Sequence, residues 1–308
     1  MSSVAAAGQI AGKGAAKAAA RKRARAQQHG TGSAVRGGGW ITYGLLGLVL
    51  LVAAFPLYYT LLLGSSDQQT ISQTAVPQWL PDLSILSQFA NVVSNNQVNF
   101  WLALVNSIVI SVTVALAVVL SSTLAGFSFA KLQYPGRNGL LVFVIATMAV
   151  PTQLGVIPMY ILMSEIDWIG TLQAVIVPAL VSAFGVFWMT QYLESALPYE
   201  LIEAARVDGA SMFRTFWSIA LPAARPAAAM LGLFMFVQQW TMFFWPSVVL
   251  GSSNPTLPIA VQNLRAGYHD DYSLIMAGVF LVTLPLLIIF AVVGRQLVAG
   301  IMAGAVKG

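Results

Sequence analysis

The sequence predicts an all-α integral membrane fold of six transmembrane helices, with one cytoplasmic loop folded into a short helix pair. Three observations point there. Of 308 residues, 58% are apolar and only 8% charged, against about 25% charged in water-soluble domains. Beyond residue 39 the apolar stretches repeatedly reach the ~20 residues that a helix needs to cross a ~30 Å hydrocarbon core. Threaded six times through a membrane, the chain also places nearly all its basic residues on one side, as the positive-inside rule requires.

The elements follow in chain order. Residues 1–39 read as a cytoplasmic basic tail, rich in Ala, Gly, Lys and Arg and expected to be disordered. Its cluster Arg21-Lys22-Arg23-Ala24-Arg25 precedes the first apolar segment, where a topogenic role and attraction to anionic lipid account for it. Without interleaved aromatics the cluster gives no ground for nucleic-acid binding. The apolar segment after it is long for a signal peptide and ends in Leu63-Gly64-Ser65-Ser66, without a clear small-x-small cleavage site.

Residues 40–308 read as the transmembrane domain, with spans at Ile41 to Leu63, Trp101 to Phe129, Leu140 to Met163, Leu172 to Leu193, Ala227 to Leu250 and Leu274 to Val293. Pro56, Pro151, Pro158, Pro178, Pro246 and Pro285 lie within spans, where proline frees a backbone carbonyl and favours a kink. With the N-terminus inside, every one of the 15 Lys and Arg except Arg265 faces the cytoplasm. The outer segments carry Asp67, Asp82, Glu165, Asp167, Asp270 and Asp271. Removing or adding a span destroys this asymmetry, so both termini are expected in the cytoplasm.

No Asp, Glu, Lys, Arg or His falls in the hydrocarbon part of any span. Ion-driven carriers commonly keep such a group near the midplane, so a self-contained secondary carrier is the weaker reading, left open by sodium sites built from carbonyls and hydroxyls. The chain has no nucleotide site of its own. Its nearest approach to a P-loop, Gly8-Gln9-Ile10-Ala11-Gly12-Lys13-Gly14, lacks the first glycine, the Ser or Thr after the lysine, and a preceding strand. Cysteine is absent, and His29 and His269 are the only histidines. Thiolate nucleophiles and zinc sites built on Cys or His pairs are excluded. No catalytic residue, metal or bound cofactor is expected.

The most informative stretch is residues 197–222, between the fourth and fifth spans. Pro198 suits a first helical position, and Glu200 and Glu203 put negative charge where the helix dipole favours it. Gly209 can stop that helix in a left-handed cap; Ser211 can open a second one, which Leu221-Pro222 is expected to end. Ala204 and Ala205 leave a low ridge that another protein can approach closely.

Here the chain resembles the ABC importer permeases. Their signature loop has Glu-Ala-Ala, a glycine a few residues on, then Ile-x-Leu-Pro; this chain supplies Glu203-Ala204-Ala205, Gly209 and Ile219-Ala220-Leu221-Pro222. The longer run Glu203 to Ala210 is similar to the carbohydrate branch. Further similarity lies at Asn106-Ser107, at Ala125 to Lys131 with Tyr134-Pro135-Gly136-Arg137, and in the ending Ala299 to Gly308, which looks like the smaller permease subunit of maltose-type importers.

The resemblance implies a sugar permease in a bacterial or archaeal plasma membrane. Its implied partners are a second homologous permease, a dimer of ATPases that bind ATP and Mg, and an extracytoplasmic sugar-binding protein. A non-sugar solute such as glycerol phosphate is the runner-up. It further implies that residues 197–222 form a cytoplasmic coupling-helix loop, in which Glu203, Ala204, Ala205, Asp208 and Gly209 enter a cleft on one ATPase ahead of Leu221 and Pro222. The end of the chain, Ala305, Val306, Lys307 and Gly308, is implied to reach the ATPase interface.

For the solute path, amides and aromatic faces suit a sugar, and the fifth span offers Gln238, Gln239, Trp240, Phe243, Phe244 and Trp245. Of these, Gln239, Trp240 and Phe243 are the chosen candidates, although the aromatics cannot all share one helical face. The family often has Trp-Asn where this chain has Trp240-Thr241. Asn106, Ser107 and Gln153 read as polar positions that hydrogen-bond between helices.

Overall fold

The computed structural model describes residues 39–73, 79–266 and 271–305. The basic tail, residues 1–38, lies outside them. Contact clustering divides the chain at Pro56 into residues 1–56 and 57–308, and the packing below belongs to the second unit. The described residues are helices and turns: α1 Trp40–Ser65, α2 Gln68–Gln73, α3 Ser84–Ser94, α4 Phe100–Lys131, α5 Arg137–Thr147, α6 Val156–Glu165, α7 Gln173–Ile176, α8 Ala183–Ala196, α9 Tyr199–Val207, α10 Met212–Thr215, α11 Leu221–Trp240, α12 Phe244–Val249, α13 Leu257–Asn263 and α14 Tyr272–Ala305.

Among the described residues, five stretches are long and apolar enough to cross a membrane: Trp40–Ser65, Phe100–Lys131, Gln173–Ala196, Met212–Trp240 and Tyr272–Val292. Counted as one span, the pair α5 and Thr152–Glu165, bent by 85°, is the sixth. The protein is therefore membrane-embedded and all-α, but three of its six spans depart from the simple helices read from the sequence. The third breaks at residues 148–151, ahead of the 3₁₀ turn Thr152–Gly155, where Pro151 adopts an extended ψ of 124°. The fourth breaks after the 3₁₀ turn Val177–Ala179, and Ser182 restarts it by accepting from Gly185 N–H at 3.2 Å.

The fifth does not run from Ala227 to Leu250. It begins at Met212, stops at Trp240, and α12 resumes after Thr241–Phe243. Nor does Leu221-Pro222 end a helix. The five-residue π turn Phe216–Ala220 precedes it, with Leu221 N–H bonded back to Phe216 C=O. That widened turn lets Pro222, which has no N–H to give, enter an uninterrupted span.

Helix α4 is the central post and packs along both α8 and α11. Its buried face carries small residues, Ala103, Ser107, Ser111, Ala115, Ser122 and Gly126 among them, while Leu102, Val105, Val109, Val112, Leu116 and Leu120 point outward. This inverts the soluble pattern, because lipid rewards no burial of leucine and close backbone approach holds the helices instead. Gly126 shows how close: a Cβ added there would lie 2.7 Å from Met189 Cβ and 2.8 Å from the Met189 backbone carbon. Lys131, at the end of α4, is buried and donates from Nζ to Glu194 C=O at 3.0 Å, satisfying a carbonyl in the last turn of α8.

At the other end of α4, Asn106 Nδ2 donates to Asn254 Oδ1 at 2.7 Å and to Pro255 C=O at 2.9 Å, while Ser107 Oγ accepts from Leu257 N–H at 2.9 Å. Asn254 in turn donates to Gly170 C=O at 2.9 Å. The two polar positions thus tie the segment after α12 to the bundle. Replacing Asn106 by alanine orphans the buried Pro255 carbonyl and the half-buried Asn254 Oδ1, and we expect a loss of about 1–3 kcal/mol, read as a lower melting temperature of the detergent-purified protein.

Candidate functional site

The loop at 197–222 is built as two helices around a tight turn. Pro198 precedes α9, Glu200 sits in its first turn and Arg206 in its last. Gly209 adopts φ +75°, and the carbonyls it frees are taken up in order: Gly209 N–H bonds to Arg206 C=O at 3.0 Å and Ala210 N–H to Ala205 C=O at 2.9 Å. This is a Schellman termination, whose left-handed residue favours glycine. Ser211 then caps α10, its Oγ accepting from Arg214 N–H at 3.2 Å. Both caps sit where the sequence placed them.

One face of this pair is held by the bundle. Ile202 is buried with Leu193, Leu197, Phe216 and Ala220. Ala205 is also turned inward, 7% exposed, so only Ala204 of the expected two-alanine ridge faces outward. The other face is uncovered: Glu203, Asp208 and Gly209 are exposed, Val207 is 88% and Phe213 69% exposed. Leu221 and Pro222 are half-buried at the start of α11. The pair is therefore an anchored prong whose outer surface is apolar and charged, with Arg206 and Arg214 exposed beside the acidic residues. Of the C-terminal set, Ala305 closes α14, whereas Val306, Lys307 and Gly308 lie outside the described residues.

The pathway candidates end up apart. Gln239 is buried, with no partner for its Oε1 among the described residues. Trp240 is buried as well, stacked on Phe236 at 5.5 Å and donating from Nε1 to Val282 C=O at 3.3 Å, which ties α11 to α14. Phe243 lies past the end of α11 and is exposed. Their neighbours Gln238, Met242, Phe244 and Trp245 instead line a cavity of about 440 Å3. Gln153, read as an interhelical bonder, lines the same cavity. Gln238 and Gln239 lie on different faces of α11, so Gln238 borders the cavity while Gln239 is buried, and the chain past Trp240 brings Met242, Phe244 and Trp245 to it. The prolines Pro151, Pro178 and Pro246 were the available signal, since each lies at or beside one of the breaks.

Residues 117–301, more than half of the chain, match the family described as "Binding-protein-dependent transport system inner membrane component". The chain is similar to an arabino-oligosaccharide transport system permease protein of Halalkalibacterium halodurans, 30% identical over 84% of this chain and 93% of that one. It is also similar to an sn-glycerol-3-phosphate transport system permease protein of Yersinia pestis, 26% identical over 84% of this chain and 93% of that one. Among solved structures, a bacterial ABC transporter involved in the import of the acidic polysaccharide alginate shares the fold, with a TM-score of 0.70 at 22% identity over 83% of this chain and 95% of that chain. With its six membrane segments and its capped loop, the chain belongs to the family of inner membrane components of binding-protein-dependent transport systems.

Proposed function

We propose that this chain is the permease subunit of an ATP-driven importer of sugars, forming half of the translocation pathway and docking on a separate ATPase through residues 197–222. The observation that carries the docking is the prong itself. Its inner face is fixed by Ile202 and Ala205, while Glu203, Val207, Asp208 and Phe213 are left uncovered on a turn that is rigidly capped. Exposed apolar side chains gathered on one projecting turn are the mark of an interaction surface.

In this reading a second homologous permease completes the bundle. A dimer of ATPases binds ATP and Mg and hydrolyses the nucleotide, and an extracytoplasmic binding protein delivers the sugar. Both termini face the cytoplasm, following the basic residues. Closure of the ATPases moves the prong, and the bundle alternates as a rigid body around its central cavity. Residues 305–308 reach toward the ATPases, and residues 1–39 form a cytoplasmic tail separate from the transmembrane domain 40–308.

Sugar is favoured by the arabino-oligosaccharide relative and by the lining of the 440 Å3 cavity, which contains glutamines, threonine and aromatics and no charged side chain. The glycerol-phosphate relative favours an anionic solute, but a phosphate calls for Arg or Lys.

The test is co-purification of the whole complex, reconstitution, and measurement of ATP hydrolysis and uptake with arabino-oligosaccharides and with sn-glycerol 3-phosphate. Saccharide-dependent stimulation and import are expected. Solute movement by this chain alone, without any nucleotide-hydrolysing partner, overturns the reading.

A further inference from the structure

Three of the six spans are discontinuous, and all three discontinuities meet in one place. The 440 Å3 cavity is lined by Thr152 and Gln153 after the break in the third span, by Pro178 within the 3₁₀ turn of the fourth, and by Gln238, Met242 and Trp245 around the break in the fifth. Irregular backbone at membrane depth is tolerated only where protein buries it or where it borders water, since hydrocarbon leaves its polar groups unsatisfied. Three separate breaks bordering one open cavity suit a water-lined place.

The chemistry of the lining narrows the occupant. No Lys, Arg, Asp, Glu or His lines it, so neither an anion nor a cation finds a counter-charge. The carboxamides of Gln153 and Gln238 are both exposed and have no hydrogen-bond partner among the described residues, so their donors and acceptors are open to a polar occupant. The same cavity carries an aromatic surface held in place. Trp245 Nε1 donates to Ala174 C=O at 3.0 Å, which anchors the polar edge of the indole and fixes the orientation of its face. An aromatic platform beside two free carboxamides and a hydroxyl suits a neutral polyol ring, with an apolar C–H face and a rim of hydroxyls. The volume falls in the ~300–1,000 Å3 range of small-molecule sites.

We propose that this cavity is a saccharide subsite, so that this chain itself contacts the sugar during passage, with Gln153 and Gln238 bonding hydroxyls and Trp245 stacking on the ring. The proposal rests on the sugar-importer reading above.

Because the chain has no cysteine, single replacements Gln153→Cys and Gln238→Cys can be made directly in the complete reconstituted complex. Each is alkylated with a membrane-impermeant maleimide in nucleotide-free and vanadate-trapped states, and the label on this subunit is quantified. Ser164→Cys, exposed near the end of α6 and outside the cavity, serves as the control. A transported arabino-oligosaccharide at about ten times its dissociation constant is expected to slow alkylation at both cavity positions about tenfold, the factor 1 + [L]/Kd, and to leave the control unchanged. Retained ATP hydrolysis by each variant complex shows that it has assembled.

Alkylation indifferent to the sugar, or no alkylation in any state, overturns the subsite while sugar import by the wild-type complex still stands. Import of sn-glycerol 3-phosphate and of no saccharide, seen in the wild type before any variant is made, ends the sugar reading and the subsite together.

Discussion

Replacing Gly209 by valine is expected to cut binding-protein-stimulated ATP hydrolysis and import about tenfold in the reconstituted complex. Gly209 holds φ +75° in the turn between α9 and α10, and a left-handed conformation costs a residue with a Cβ about 1–2 kcal/mol. Since ~1.4 kcal/mol is a tenfold change in an equilibrium constant, the docked shape of the prong loses about tenfold in weight against its alternatives. Sterics inside the subunit add nothing, because a Cβ built on Gly209 meets no atom within 4 Å. Asparagine, which enters the left-handed region more readily, is therefore expected to keep most of the activity. Equal loss in the Val and Asn variants would locate the effect in crowding against the partner and not in the backbone. Full activity of the valine variant would remove Gly209 from the docking account altogether.

Leucine at Gly126 is expected to have a still larger effect, this time on folding. The approach of Met189 to Gly126 leaves no room for even a methyl group, and the nearest atoms include backbone that cannot turn aside. Alanine there should cost about 1–3 kcal/mol through overpacking. Leucine must drive α4 and α8 apart, and a total stability of about 5–15 kcal/mol leaves little margin. Loss of most monodisperse protein in size-exclusion chromatography of detergent extracts is the expected readout. Gly232 provides the contrast, since a Cβ there meets only the Val119 Cγ2 methyl at 3.3 Å; its alanine variant should melt within a degree or two of wild type. If Gly126→Leu behaved the same way, the close approach of α4 and α8 would not be what holds the bundle.

What the sequence showed and what it hid divide along a physical line. The caps at Gly209 and Ser211 were legible because each depends on a residue's own backbone preference and on bonds to neighbours a few positions away. The spans were legible because hydrophobic length and the one-sided basic residues are properties of the chain itself. The end of the fifth span was not, since the apolar run continues through Phe243, Phe244 and Trp245 past the point where the helix stops at Trp240. Gln238 and Gln239 are adjacent on one helix, and only packing against neighbouring spans decides that Gln239 is buried while Gln238 borders the cavity. Ala205 reads in the sequence as part of an outward ridge, yet it is buried on the same side of α9 as Ile202, whose packing with Leu197 and Phe216 no local pattern announces. The cavity draws on residues nearly a hundred positions apart, and only the prolines near the three breaks hinted at it.

The π turn at Phe216–Ala220 has a geometric corollary. Such a turn carries one residue more than an α turn, and each residue of an α-helix advances the chain by 100° of rotation and ~1.5 Å of rise. Deleting a single residue between Phe216 and Ala220 would therefore leave an ordinary α turn, with Glu203 and Val207 near their present bearing, and would press the Pro222 ring against the carbonyl one turn before it. That one supernumerary residue is absorbed where it sits, making room for a proline without swinging the prong.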